Sequence, residues 1–308
     1  MIGSLLVRLL AAFATLGVAG LALAAMASES PAARPTDDRS FLAPEAVTIA
    51  GYSGHAMEPF VTRDGRWLIF NTRNGPGGQT DLMLARRIDD LHYAFVGPLP
   101  GANGKSLDGV ASVDRDGHFF FVSNRDYDRS GNTLWTGRFV DGRVTDVGPL
   151  ATDFTPKRLL RLNIDLEISS DGSELYVAEN RWNLFKGRPS TSHLAVAGRT
   201  GDRFERRPDS DLLMEAISGA ALDYAPTTSA DCLTLIFTRW NPKISGDVPQ
   251  LWISRRATRS VAWSAPRRIA AAAGFVEGAT FVPGDCAILY HARLGEAYRL
   301  FRVRRATC

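Results

Sequence analysis

Glu58-Pro59-Phe60-Val61-Thr62-Arg63-Asp64-Gly65-Arg66-Trp67-Leu68-Ile69-Phe70-Asn71-Thr72-Arg73 decides the fold, because it returns in outline four more times along the chain. The copies are Val110 to Arg125, Asp165 to Arg181, and two shorter ones around Asp231-Cys232-Leu233-Thr234-Leu235-Ile236-Phe237-Thr238-Arg239 and Asp285-Cys286-Ala287-Ile288-Leu289-Tyr290-His291-Ala292-Arg293. Their turn aspartates, Asp64, Asp116, Asp171, Asp231 and Asp285, are spaced by about 55 residues, a period typical of arrays that bury a face only by stacking on their neighbours.

Each copy reads as a short strand, an Asp-Gly-type hairpin turn, a strand dense in aromatic and aliphatic residues, a polar loop, and a third strand. The third strands are Asp81 to Ala85, Thr133 to Gly137, His193 to Ala197, Gln250 to Ser254 and Tyr298 to Val303. The middle strands are apolar almost throughout, as expected of sheets covered on both faces. Helical periodicity is absent, with Arg158 to Leu162 the nearest approach. The fold expected is all-β: a single β-propeller of about five four-stranded blades. Trp263 to Ala270 is an outer strand ahead of the last unit, Phe41 to Ala50 has the same form ahead of the first, and the last unit stops after its third strand. Phe41 to Ile49 is therefore expected to complete the last blade and close the ring, since exposed sheet edges are a liability.

The ends of the chain carry other signals. Residues 1–27 read as a secretory signal peptide, with Arg8, an apolar run from Leu9 to Ala25 and the small-residue pattern Ala25-Met26-Ala27; retention as an anchor is the alternative. Residues 28–39, rich in Pro, Ala, Asp and Ser, read as a disordered linker, and residues 40–308 as the propeller. The location expected is periplasmic or secreted. The formal net charge of +3 falls close to neutral without Arg8, and no basic run suggests nucleic acid. Of the three cysteines, Cys232 and Cys286 occupy matching places in neighbouring units and are the first pairing expected, with Cys308 the alternative partner.

The repeats resemble the WD40-like PD40 repeats of periplasmic TolB-like propellers. Gly97-Pro98-Leu99-Pro100 leading to Leu107-Asp108, the Asp-Gly turns, Ser123-Asn124-Arg125 and Trp263-Ser264-Ala265-Pro266 carry the resemblance. Together with the export signal and the lack of an asymmetric catalytic set, the resemblance points to a non-enzymatic propeller that binds an envelope protein, a peptidoglycan fragment or a saccharide on its loop-rich face.

Acidic residues recur at the first strand of every unit: Glu58, Asp108, Asp165 with Glu167, Asp223 and Glu277. Arginines recur at the end of every second strand: Arg73, Arg125, Arg181, Arg239 and Arg293. In a hairpin these two sets share one end, so they are expected to form an ion-pair ring around the channel mouth. Because the charges follow the repeat, the scaffold is the simpler reason for them. The alternative is a glycoside or small-ester hydrolase that uses the carboxylates as acid and base. The loops on the same face bring Tyr127, Trp182, Phe185 and Trp240, which are suited to stacking on a sugar or anchoring a peptide. No metal or cofactor is expected, since the five histidines are dispersed and Asp126-Tyr127-Asp128 lacks the distal Glu of a calcium loop. A monomer is expected.

Overall fold

The computed structural model describes residues 37–75, 79–154, 160–183, 185–186 and 188–308. The expected signal peptide, most of the expected linker, and Gly77 and Gly78 of the loop after Asn71 lie outside the described residues. The chain folds as an all-β propeller of five blades, each an antiparallel meander whose first strand lies innermost.

Blade 1 comprises β4 (Met57–Val61), β5 (Trp67–Asn71), β6 (Leu82–Arg87) and β7 (His92–Pro98), and blade 2 comprises β8 (Asp108–Val113), β9 (His118–Ser123), β10 (Leu134–Val140) and β11 (Arg143–Pro149). Blade 3 is the tallest, with β12 (Arg161–Ile168), β13 (Glu174–Asn183), β14 (Arg188–Thr200) and β15 (Arg203–Arg206). The segment nearest to helical patterning thus runs, from Arg161, into a strand. Blade 4 holds β16 (Leu222–Thr228), β17 (Thr234–Trp240), β18 (Gln250–Arg255) and β19 (Arg267–Ile269); blade 5 holds β20 (Val276–Phe281), β21 (Ala287–Leu294) and β22 (Ala297–Arg304).

The apolar second strands are explained by burial on both faces. In β9, Phe119 and Phe121 pack with Ile69, Leu82 and Leu84 of blade 1, while Phe120 and Val122 pack with Leu166, Leu175 and Val177 of blade 3. Successive side chains point to opposite faces of a strand, so one strand feeds two inter-blade cores. The same alternation builds the cores between blades 3 and 4, 4 and 5, and 5 and 1.

The N-terminal segment closes the ring and also does more than expected. In β2 (Glu45–Ala46), Glu45 and Ala46 pair antiparallel with Arg302 and Phe301 as the outer strand of blade 5, and Phe41 bridges to Arg305. Closure of the last blade therefore takes Phe41 to Val47. Thr48 and Ile49 have already left it: β3 (Thr48–Ala50) lies parallel on β7 of blade 1. Upstream, β1 (Asp37–Asp38) lies parallel on β19 of blade 4, with Asp37 bound to Arg268 and Asp38 to Arg255. The linker expected to run to Arg39 thus gives way to paired backbone at Asp37, and about fourteen residues staple three blades together.

The first cysteine pairing expected is not the one formed. Cys286 is bonded to Cys308, with their Cα atoms 5.5 Å apart, and Cys232 is a buried free thiol. Cys232 and Cys286 lie in turns of different sheets and their places do not match, since the counterpart of Cys232 in blade 5 is Asp285 (φ 58°). Cys232 also occupies the left-handed turn position (φ 60°) held by Gly65, Gly117 and Gly172 in earlier units, whereas the C-terminus returns directly beside Cys286.

Candidate active site at the channel mouth

All five first strands break register at one point. The residue at the break is left-handed in four of them: Glu58 (φ 44°), Val110 (52°), Ala225 (47°) and Gly278 (59°). In blade 3 the break falls between Asn163 and Asp165. Such bulges turn a strand's end and re-aim its side chains. The freed N–H of one blade is then accepted by the blade before it: Val110 donates to Asn71 Oδ1 (3.0 Å), Gly278 to Thr238 Oγ1 (3.2 Å) and Glu58 to His291 Nδ1 (3.2 Å). Ala225 donates to the Asp165 carboxylate. The scaffold therefore imposes the bulge, and the side chain at each bulge decides what the site becomes.

The bulge splits the acidic residues into two sets. Asp108 and Asp223 lie two residues ahead of it and form buried ion pairs with Arg125 and Arg239. Each guanidinium is also held by a backbone carbonyl, that of Ala102 or Ile217, and sandwiched between aromatic rings: Phe121 and Trp135 for Arg125, Phe237 and Trp252 for Arg239. These two pairs are structural, and among the described residues only blades 2 and 4 have them, in place of the expected five-fold ion-pair ring. Blade 3 carries Asn163 at the matching position. Arg73 lies over the Tyr298 ring, and Arg293 turns back to Gly295 and Glu296. Glu167 pairs instead with Arg63 of blade 1 (2.8 Å) and accepts the Ser112 hydroxyl, bracing the far end of the channel.

Glu58, Asp165 and Glu277, from blades 1, 3 and 5, converge on one cavity of about 120 Å³ that Tyr224, Asn71 and Ile164 also line. Among the described residues no Lys or Arg pairs with any of the three. Glu277 accepts the Tyr224 hydroxyl on one oxygen and faces His291 Nε2 (3.3 Å) with the other. Because His291 Nδ1 accepts the Glu58 backbone N–H, Nε2 carries the ring proton and donates it to Glu277. Gly278 lets this set form: a Cβ there would lie 2.1 Å from Glu58 Oε2.

The electrostatics separate the three groups. Burial, reinforced by the charges of Asp165 and Glu277, pushes Glu58 well above the usual carboxylate range. Asp165 is pushed up to about 7, mainly by burial; the Ala225 N–H pulls the other way and the Glu277 charge adds to the rise. Its Oδ2 is buried with no hydrogen-bond partner, so it awaits a proton or a donor from a bound molecule. Desolvated carboxyls crowded together cannot all ionise, which is how acid–base sites hold a proton near neutral pH.

The expected loop aromatics divide. Trp182 is buried against Leu162, and Tyr127 is half-buried beside it with its hydroxyl on the Arg161 carbonyl. Trp240 donates to the Asp247 carbonyl and lies under Arg188. Phe185, at the end of the tall blade 3 hairpin, is fully exposed, and Arg181 is exposed on the same strand. Sequence reasoning missed Tyr224 and His291. The available signal for His291 was a polar side chain inside an otherwise apolar second strand, after Leu289-Tyr290; Tyr224, on a first strand, had none. Among the described residues no group of three or more His, Cys, Asp or Glu is placed to hold a metal ion, and no helix is long and apolar enough to cross a membrane.

No known protein-family profile matches the sequence, and no curated protein does. Solved structures share the fold. An endo-arabinase from Bacteroides thetaiotaomicron VPI-5482 aligns with a TM-score of 0.53 at 14% identity, over 86% of this chain and 98% of that one. The catalytic domain of the GH62 α-L-arabinofuranosidase from Coprinopsis cinerea aligns with a TM-score of 0.51 at 13% identity, over 87% and 98%. TolB from Acinetobacter baumannii gives 0.47 at 12% identity, over 82% of this chain and 55% of that one.

Proposed function

We propose that this chain is an exported, monomeric glycoside hydrolase that takes a saccharide at the channel mouth and cleaves a glycosidic bond between Glu58 and Glu277. One observation carries the reading. Glu58, Asp165 and Glu277 leave the ion-pair positions that Asp108 and Asp223 fill, and meet on one cavity with no Lys or Arg partner among the described residues, His291 alone standing beside Glu58 and Glu277. A charge kept only by the repeat would have paired as those two do. This asymmetry favours the hydrolase over the binding-only role implied by the resemblance to TolB-like repeats. That glycosidases are among the solved structures sharing the fold is compatible with it.

In this reading Glu58, kept protonated by burial and by its charged neighbours, gives its proton to the glycosidic oxygen as the bond breaks. Glu277, fixed by Tyr224 and His291, takes a proton from the water that attacks the anomeric carbon from the other side of the sugar, so that the sugar gains the water's oxygen while the leaving oxygen keeps the Glu58 proton. Asp165 holds the proton balance between them and offers its free oxygen to a sugar hydroxyl.

The mature protein and the single variants Glu58→Gln, Asp165→Asn and Glu277→Gln should be assayed on a panel of chromogenic pentosides, hexosides and uronides. Turnover by wild type, lost by about a hundredfold or more in Glu58→Gln and Glu277→Gln with melting unchanged or raised, is expected. Wild type inert across the panel, or variants as active as wild type, would defeat the proposal.

A further inference from the structure

A second cavity, of about 450 Å³, is lined by blade 3 and by Asp211 and Ser218 of the segment that leads to blade 4, and shares Leu162 and Asn163 with the carboxylate cavity. Its walls hold an arrangement that the fold does not explain. Arg161 of β12 and Arg181 of β13 are directly opposed across the antiparallel ladder, where like charges repel. Blade 3 has Asn163 where blades 2 and 4 carry the aspartate that neutralises their arginine, and Glu179 of the same strand is taken by Arg206, so neither pairs with Arg181. Among the described residues neither Arg161 nor Arg181 has an ion-pair partner.

The third arginine of the cavity, Arg206, is already engaged by Glu179 (3.3 Å) and Asp211 (2.8 Å). Arg161 and Arg181 carry two positive charges and Arg206 with its two carboxylates one negative, so the cavity as a whole has an excess of one positive charge. That suits a monoanion better than a dianionic phosphate. Two other lining atoms, His193 Nδ1 and Asn180 Oδ1, are buried without a hydrogen-bond partner and can accept hydroxyl donors. A planar carboxylate flanked by hydroxyls offers both kinds of complement: its oxygens fit the guanidinium forks, and its hydroxyls meet the orphaned acceptors.

We infer that this cavity binds the carboxylate of a uronic acid unit, so that the saccharide acted on at the channel mouth is an acidic one. The link to cleavage rests on the hydrolase reading above; the binding of the acidic sugar does not. The shared wall at Leu162 and Asn163 places the acidic unit next to the bond presented to Glu58 and Glu277.

The test is calorimetric binding of trigalacturonate and triglucuronate, their methyl esters and a sulfated neutral trisaccharide to the full mature chain and to Arg161→Gln/Arg181→Gln. Both arginines are exposed, so the double variant should melt with wild type. One of the two acids should bind wild type at least about tenfold more tightly than its ester, weaken with added salt, and lose about a hundredfold in the double variant, where acid and ester become equal. Equal binding of acid and ester by wild type, undiminished acid binding by the double variant, preference for the sulfated sugar, or no binding of either acid would each overturn the inference. Hydrolysis is read separately: acid-selective binding by a wild type that cleaves nothing would sink the hydrolase reading alone, and cleavage of neutral glycosides with no preference for acids would sink this inference alone.

Discussion

Replacing Asp165 by Asn should make the protein more stable, and increasingly so as the pH rises. Asp165 is buried and its carboxyl is pushed from the ordinary 3.8 up to about 7. Between those values the folded state holds a proton that the unfolded state releases, so stability falls as pH rises through the interval. The penalty is nearly absent near pH 4 and complete above about pH 7. At 1.36 kcal/mol per pH unit, it amounts to about 1.5 kcal/mol at pH 5 and about 4 kcal/mol at pH 8. Asn cannot ionise but keeps an acceptor for the Ala225 N–H, so the variant escapes the penalty while preserving that bond. Urea unfolding of wild type and Asp165→Asn at pH 5 and pH 8 reads the difference directly, and by calorimetry the gain at pH 8 should be about 10 °C in Tm. A variant less stable than wild type at pH 8, or one whose gain is the same at both pH values, would refute the claim that the carboxyl is held against its charge.

Three further perturbations follow from the geometry. Gly278→Ala should destabilise by about 1–3 kcal/mol and abolish turnover, because the new Cβ occupies the place of the Glu58 carboxyl; Ala225 already sits at the matching left-handed bulge, so a neutral, fully active variant would show that the carboxyl is not fixed there. Starting the chain at Gly51 removes β1, β2 and β3 with buried Phe41 and Ile49 and should cost at least about 5 kcal/mol, whereas melting like the full mature chain would mean that the staple does not close the ring. Cys286→Ser/Cys308→Ser should lose about 3 kcal/mol, from a loop 22 residues apart in sequence, and a double variant as stable as wild type would contradict the bond; Cys232, buried with its thiol pushed up to about 11, should stay inert to thiol reagents until unfolding, and its reaction in the native chain would contradict that burial.

Much of the fold was legible because its cause is local and repeated. The Asp-Gly turns set the period, and the apolar second strands follow from burial on both faces, as Phe119 to Val122 show. Closure at Phe41 was legible from the missing fourth strand of the last unit. The departure of Thr48 to blade 1 was not, because a parallel partner at Tyr93 leaves no mark in the sequence around residue 48. The site was half-legible for a sharper reason. Glu58, Asp108, Asp165, Asp223 and Glu277 look equivalent in sequence, but each bulge shifts the register by one residue and they stand at different places on it: Asp108 and Asp223 two residues ahead, paired with arginines, and the other three at it or next to it, in the cavity. A one-residue slip changes the face on which a side chain emerges. Likewise Trp182 and Trp240 are committed to packing or to a backbone carbonyl, which composition alone does not distinguish from a stacking platform.

The claim that Glu58, Asp165 and Glu277 act as one acid–base unit is tested most directly by carboxyl-carbon NMR titration of the protein and of Glu277→Gln between pH 4 and 9. In wild type, Asp165 should titrate near pH 7 and Glu58 well above the ordinary glutamate range, with each curve distorted by the other; in Glu277→Gln both should move down. Ordinary titration of Glu58 and Asp165 near pH 4, or curves unchanged by the loss of Glu277, would contradict the account.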